Sequence, residues 1–348
     1  MRTGIDILEY ELFEKHPQIL RTLLFDNTTK SNIIWATNNY EHLGNDYQFN
    51  SEIKPNLIIG DYGSIIMPRV LKNKILQSNR SKEMAEVFTP SWVCNAQLNM
   101  IDNAWFGNTN VFNTEVMLSN GKRSWNANPK KVSFPKSKTW KDYVNDKRLE
   151  ITCGEAPYIT SRYDSTTGKF IPVENRIGII DRKLRIVNEN TDSEEDWLSA
   201  ALDAFKSTYA FEWQGDNLLI ARESLLITFL ENYNYKFAKE PLIKYLNDIA
   251  FIISWNVWQM DGLKGVIPDS CTTMKVVNED LFGNSTVETL ECNGCEYNNI
   301  YTHNGKYCTI MDWDSKDTRT NLVGIRHKYV EIIKERENRN GHRYNGTQ

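Results

Sequence analysis

Between residues 149 and 263 short apolar runs alternate with longer segments of helical spacing, and no other feature limits the fold as much. LEITC (149–153), YAFEW (209–213) and NVWQM (256–260) are strand-length runs. The first breaks at Gly154, the second carries Glu212 near its end, and the third stops at Asp261-Gly262. Between them Arg176–Val187, Trp197–Thr208, a segment opened by Asp216, and Pro241–Trp255 place apolar residues on one side of a helix. Strands joined through helices run in the same direction. The expectation is therefore an α/β fold with a mainly parallel sheet and helices on both faces. Ligands of such sheets sit beyond the C-terminal strand ends, where Gly154, Glu212 and Asp261 fall.

The remaining chain divides around this core. Residues 1–80 read as an N-terminal α/β layer, with a helix over Ile5–Leu24 and short strands at 32–37 and 56–68. Residues 81–275 hold the core, 276–315 a small insertion with a last strand, and 316–348 a charged tail. No apolar run approaches the ~20 residues of a membrane span, and the first residues lack a signal-peptide core. A cytoplasmic protein is expected. Six cysteines in 348 residues then point to thiols or a metal site and not to a disulfide framework.

A net charge of −4 excludes a protein that grips nucleic acid over much of its surface. Segment 121–148 runs the other way. Lys122, Arg123, Lys130, Lys131, Lys136, Lys138, Lys141, Lys147 and Arg148 face only Asp142 and Asp146 there, with Trp125, Phe134 and Trp140 interleaved. Such a segment can hold phosphates and stack bases. Equally, it can be a solvated loop whose aromatic residues pin it to the core.

Thr89 has the hydroxyl of an N-cap, Pro90 suits the first helical position, and Trp92, Val93, Ala96, Leu98 and Ile101 follow at helical spacing. The free N–H groups of such a helix start suit a small anion such as a carboxylate. The string AEVFTPSWVCN (85–95) resembles the opening motif of the S-adenosylmethionine-dependent adenine-N6 DNA methyltransferases. The wider wording, including RIGIIDRKLRIVNEN and IIWAT, is similar to short restriction-system methyltransferase subunits.

The resemblance implies a Rossmann-like class I core and a cofactor site assembled from four stretches. Phe88, Thr89 and Pro90 open it, and Gly154 with Glu155 stands where the family carries its glycine-rich turn. Glu155-Ala156-Pro157 departs from that motif, which normally has a second glycine for close backbone approach. Glu212 would take the ribose hydroxyls and Asp261 the adenine amine. Double-stranded DNA, through segment 121–148, and a restriction or specificity subunit are the implied partners.

One family feature is missing. No [D/N/S]-P-P-[Y/F/W] loop, which would hold the target amine and stack on the flipped base, follows Asp261. Asp312 and Trp313, after the strand-like YCTIM (307–311), are the nearest catalytic stand-ins, although a strand end with a core tryptophan explains them as well. Glu155-Ala156-Pro157-Tyr158 is a second near-match. The functional alternatives are a catalytically incomplete cofactor- and DNA-binding subunit, or a methyltransferase acting on another nucleobase or on RNA.

Finally, Cys292, Cys295, His303 and Cys308 give C-x2-C-x7-H-x4-C in a polar stretch, read as a closed, structural zinc site. Cys271 is a competing ligand, and free thiols on a hairpin are the plainer reading.

Overall fold

The computed structural model describes residues 9–63, 65–83, 89–279, 285–316 and 323–344. Ile5, Val87 and Phe88 lie outside the described residues.

The N-terminal layer opens with α1 (Glu9–Lys15) and α2 (Pro17–Leu24). Pro17 divides what the spacing predicts as one helix, because it cannot donate an N–H to the turn before it. A two-residue ladder follows, β1 (Phe25–Asp26) with β2 (Ser31–Asn32). Among the described residues, the strands expected at 32–37 and 56–68 do not form. Beyond Asn32 the first run gives a single bridge, Ile34 with Glu52. The second run holds 3-10 turns at Pro55–Leu57 and Gly60–Tyr62, where Gly60 is left-handed with φ +65°. Residue 34 instead pairs with a side chain. Ile34 N–H donates to Gln259 Oε1 (2.9 Å), and Gln259 Nε2 donates to the Ile34 carbonyl (2.8 Å).

Next come α3 (Lys74–Glu83), α4 (Ser91–Phe106) and an antiparallel ribbon of β3 (Asn113–Met117) with β4 (Arg123–Ala127). A short α5 (Trp140–Val144) is closed by a Thr139–Asp142 capping box.

The sheet is the part that the alternating pattern predicts well. β5 (Arg148–Glu150), β6 (Thr208–Glu212) and β7 (Val257–Gln259) pair in parallel in the order β5-β6-β7. They are joined through α6 (Ile179–Asn190), α7 (Glu194–Lys206), α8 (Gly215–Phe237) and α9 (Ile243–Asn256). Among the described residues the other sheets are two-stranded and antiparallel. Parallel pairing is thus confined to three short strands, fewer than a mainly parallel sheet implied.

The two faces of this sheet are covered differently. Ala210 and Val257, cross-strand neighbours, enter the main core with the residues of α6–α9. Tyr209, Phe211 and Trp258 enter a second, smaller core. The C-terminal part of the chain follows: β8 (Met274–Glu279) with β9 (Ser285–Leu290), α10 (Asn293–Glu296), then β10 (Thr309–Lys316) paired with β11 (Val323–Lys328), and α11 (Tyr329–Tyr344). Ile310 of β10 and Tyr329 and Ile332 of α11 lie against the second core. A hairpin and one helix therefore stand where helices alone were expected.

α8 is the central helix, buried from Gly215 to Tyr233. Its Arg222 is fully buried and donates to the carbonyls of Val257 (2.8 Å), Phe25 (3.0 Å) and Leu23. It thereby satisfies carbonyls at the C-terminus of α2 that the helix itself leaves open. No described helix is long and apolar enough to cross a membrane.

Candidate metal centre and strand-end site

Three cysteines and one histidine converge behind the end of β7. The ligand atoms of Cys271, Cys292, Cys295 and His303 all lie within 4.8 Å of one another, and the group can hold a metal ion. His303 Nδ1 is 3.6 Å from each of the three sulfurs. A tetrahedral ion about 2.3 Å from sulfur and about 2.0–2.1 Å from nitrogen puts nitrogen and sulfur about 3.6 Å apart, the same value.

Local sequence builds this geometry. Cys292 caps α10, and its carbonyl accepts from Cys295 N–H (2.8 Å), which turns both thiols to one side. Gly294 lies between them, where an added Cβ would meet His303 Cγ at 2.5 Å, so only glycine admits the ring. The Asn304 N–H donates to Cys292 Sγ (3.2 Å). Burial opposes ionisation of Cys292. The N–H groups of Asn304 and Cys295 and the His303 ring outweigh it and bring the thiol down to about 6. Burial, together with the neighbouring Cys292 and Cys295, pushes Cys271 up to about 12.

Cys308 is not in the cluster, contrary to the spacing-based expectation. It is fully buried in the second core, and its Sγ lies 3.3 Å from the Gln259 carbonyl. Cys271 takes its place. Segment 265–272 runs alongside 304–308, with Ile267 N–H on Lys306 O (2.9 Å), Cys308 N–H on Gly265 O (3.0 Å) and Thr272 N–H on Asn304 Oδ1 (3.1 Å). That alignment carries Cys271 to the histidine and points Cys308 inward.

At the ends of β5 and β6 the structure brings Gly154 and Glu212 together. The Gly154 N–H donates to Glu212 Oε2 (2.8 Å), and the Gln214 N–H donates to Oε1 (3.2 Å). Burial raises the Glu212 carboxyl to about 7 against those two donors. The turn is tight, with Thr152 (φ +46°), Gly154 (+55°) and Ala156 (+59°) all left-handed. Glu150 adjoins it, a residue that the sequence reading passed over. Burial, with the charge of Glu212, raises its carboxyl well above the ordinary value, against the Tyr158 and Ile159 N–H groups bonded to it. Glu155 points away from this end. It accepts from Arg69 N–H (2.6 Å) and from the Tyr163 hydroxyl (2.9 Å).

The start of α4 differs from the expected open anion site. The helix begins at Ser91 with Pro90 as its cap residue, one step later than a Thr89 cap, and neither side chain caps it. Asp164, from the irregular segment before α6, supplies the carboxylate by accepting from Ser91 N–H (2.9 Å). Partial burial works against its charge. Bonds from Thr166, Ser91 and Thr167 outweigh that and hold Asp164 at about 2. The Thr89 carbonyl accepts from Ser165 Oγ (2.9 Å), and its side chain bonds to the Tyr158 hydroxyl. α4 still lies against the glycine turn, because the Tyr158 hydroxyl donates to Gln97.

Asp261 follows β7 and forms a turn, with Oδ1 accepting from Leu263 N–H (3.0 Å) and Lys264 N–H (3.2 Å). Asp312 and Trp313 lie on β10, where Asp312 pairs with Lys147 (3.0 Å) and Trp313 Nε1 donates to Asn256 Oδ1 (2.7 Å). The Asp312 ion pair lies at the surface, and Trp313 packs against both cores.

The basic segment 121–148 is split. Arg148 is buried against Asp102 (2.9 Å) and Asp146 (3.0 Å), while Lys138 lies 4.1 Å from the Trp105 ring and donates to its carbonyl. Trp125, Phe134 and Trp140 pack against the main core. Lys122, Arg123, Lys130, Lys131, Lys136 and Lys141 remain exposed.

No family model matches the chain, and neither does any curated protein or solved structure.

Proposed function

We propose that the chain is an S-adenosylmethionine-binding protein of the DNA adenine-N6 methyltransferase kind, with a Rossmann-like core and one structural zinc ion. The observation that carries the cofactor part is the meeting of the Gly154 turn and Glu212 at neighbouring parallel strand ends, against the helix that follows Thr89-Pro90. The order β5-β6-β7 is that of one half of a doubly wound sheet, which binds ligands beyond these strand ends. Glu212 would hold polar groups of the cofactor, with Asp261 at the third strand end. When bound, the cofactor supplies an electrophilic methyl group.

A specific observation favours the second reading, a binding subunit that needs a partner such as a restriction or specificity subunit for transfer. Asp312 and Trp313, the stand-ins for the amine loop, are engaged by Lys147 and Asn256. Calorimetry with S-adenosylmethionine, followed by transfer of labelled methyl groups to mixed duplex DNA, separates the readings. Binding with transfer supports the enzyme and binding without transfer the subunit. Absence of binding, with Glu212→Ala behaving as wild type, overturns both.

The zinc reading rests on four protein ligands, which leave no open position for substrate and so make the ion structural. Protein purified without chelator should hold about one equivalent, and less than about half an equivalent would count against it.

A further inference from the structure

The β3–β4 ribbon stands out from the core and has two unlike faces. Cross-strand pairing puts Asn113 with Ala127, Glu115 with Trp125, and Met117 with Arg123 on one face. That face is anchored: Asn95 and Asn99 of α4 donate to Asn113 (2.9 and 3.0 Å), Trp125 Nε1 donates to the Asn175 carbonyl (2.8 Å), and Arg123 lies 4.9 Å over the Trp92 ring. The opposite face carries Thr114 with Asn126 and Val116 with Ser124, and ends in Leu118 and Lys122 at the turn. Thr114, Asn126, Leu118 and Lys122 are exposed.

This composition differs from an ordinary solvated ribbon, which would carry long, alternating charges. Short hydroxyl and amide side chains are the groups that read base edges, and a two-stranded ribbon is narrow enough for the major groove. Exposed cations stand around them, Lys122 at the turn and Lys130 and Lys131 just beyond β4, against the single acid Glu115. On a chain of net charge −4 this is a local positive surface, complementary to phosphate. Arg123 over Trp92 also puts it beside the start of α4, next to the strand-end site.

We infer that the β3–β4 ribbon is the element of this chain that engages duplex DNA, with Thr114, Ser124 and Asn126 facing the bases and Lys122, Lys130 and Lys131 on the phosphates. The inference rests on the nucleic-acid half of the proposed function and is independent of whether the cofactor binds. It also narrows the basic segment to its first part.

The test is fluorescence anisotropy of a labelled mixed-sequence duplex with the full chain, at about 50 and about 200 mM salt. Lys122→Gln/Lys130→Gln should weaken binding at least about tenfold and reduce the salt slope by about 2. Lys136→Gln/Lys141→Gln, which removes the same charge further along, should stay within about twofold of wild type. Asn126→Ala should change the preference among duplex sequences and leave the salt slope unchanged. Equal losses for the two double variants would overturn the assignment, as would tighter binding of single-stranded RNA of equal length or no duplex binding by wild type. Calorimetry with S-adenosylmethionine on the same proteins reads the cofactor site separately, so failure of that reading is distinguishable from failure of this one.

Discussion

His303 Nδ1 and Cys271 Sγ stand 3.6 Å apart although 32 residues separate them in the chain. That closure makes Cys271, Cys292, Cys295 and His303 the cluster that can hold a metal ion, and it leaves Cys308 in the second core. Cys271→Ser should therefore bring bound zinc below about half an equivalent, whereas Cys308→Ser should retain about one. The Cys308 variant should instead lose about 1–3 kcal/mol of stability, since a hydroxyl replaces a buried thiol. Elemental analysis and chemical denaturation of both variants check this, and the reversed pattern would restore the ligand set read from spacing.

Glu212 gives the protein a pH dependence of defined sign. Its carboxyl ordinarily ionises near 4.5, and burial raises it to about 7 in the folded chain. The unfolded chain thus ionises first as pH rises. Stability from this group is complete below about pH 4.5 and declines until about pH 7, by about 3 kcal/mol. Urea denaturation across that window should show the decline, and Glu212→Gln should flatten it. A wild-type curve equal to that of the variant would refute the assignment.

Asp164 works in the opposite direction. Its pKa is depressed to about 2, so its stabilisation is present above the ordinary value of 3.8 and is lost as pH falls toward 2. Asp164→Ala removes the carboxylate from the Ser91 N–H and should cost about 1–2 kcal/mol, the range for a lost helix cap. Hydrogen exchange should speed up in the first turn of α4, and unchanged exchange there would show that the carboxylate contributes nothing.

At Gly215 the limitation is steric. An added Cβ would stand 2.1 Å from the Ile34 carbonyl oxygen and 2.9 Å from Ile53 Cδ1. Gly215→Ala must displace either the start of α8 or the N-terminal layer, at about 3 kcal/mol. A melting temperature equal to that of wild type would mean that the layer yields freely.

Local pattern made the central elements legible. The runs at 209–213 and 256–260 became the buried strands β6 and β7, because strands buried on both faces must be short, apolar and bounded by turns, whereas the run at 149–153 gave β5 only its first two residues, with Leu149 exposed. The same reasoning failed at 56–68, where apolar residues serve 3-10 turns and not a strand. Periodicity reports which residues are buried, not which backbone partners they find.

The site shows the same division. By itself the sequence determined the C-x2-C turn with its glycine, the histidine that follows, and acids at successive strand ends, since each depends on a few neighbouring residues. Tertiary structure alone decided that Cys271 and not Cys308 joins the cluster, that Asp164 occupies the start of α4, and that Trp313 bonds to Asn256. These contacts join residues far apart in the chain. Their energies depend on how strands align and which atoms are left without water, and neither quantity is written in local spacing.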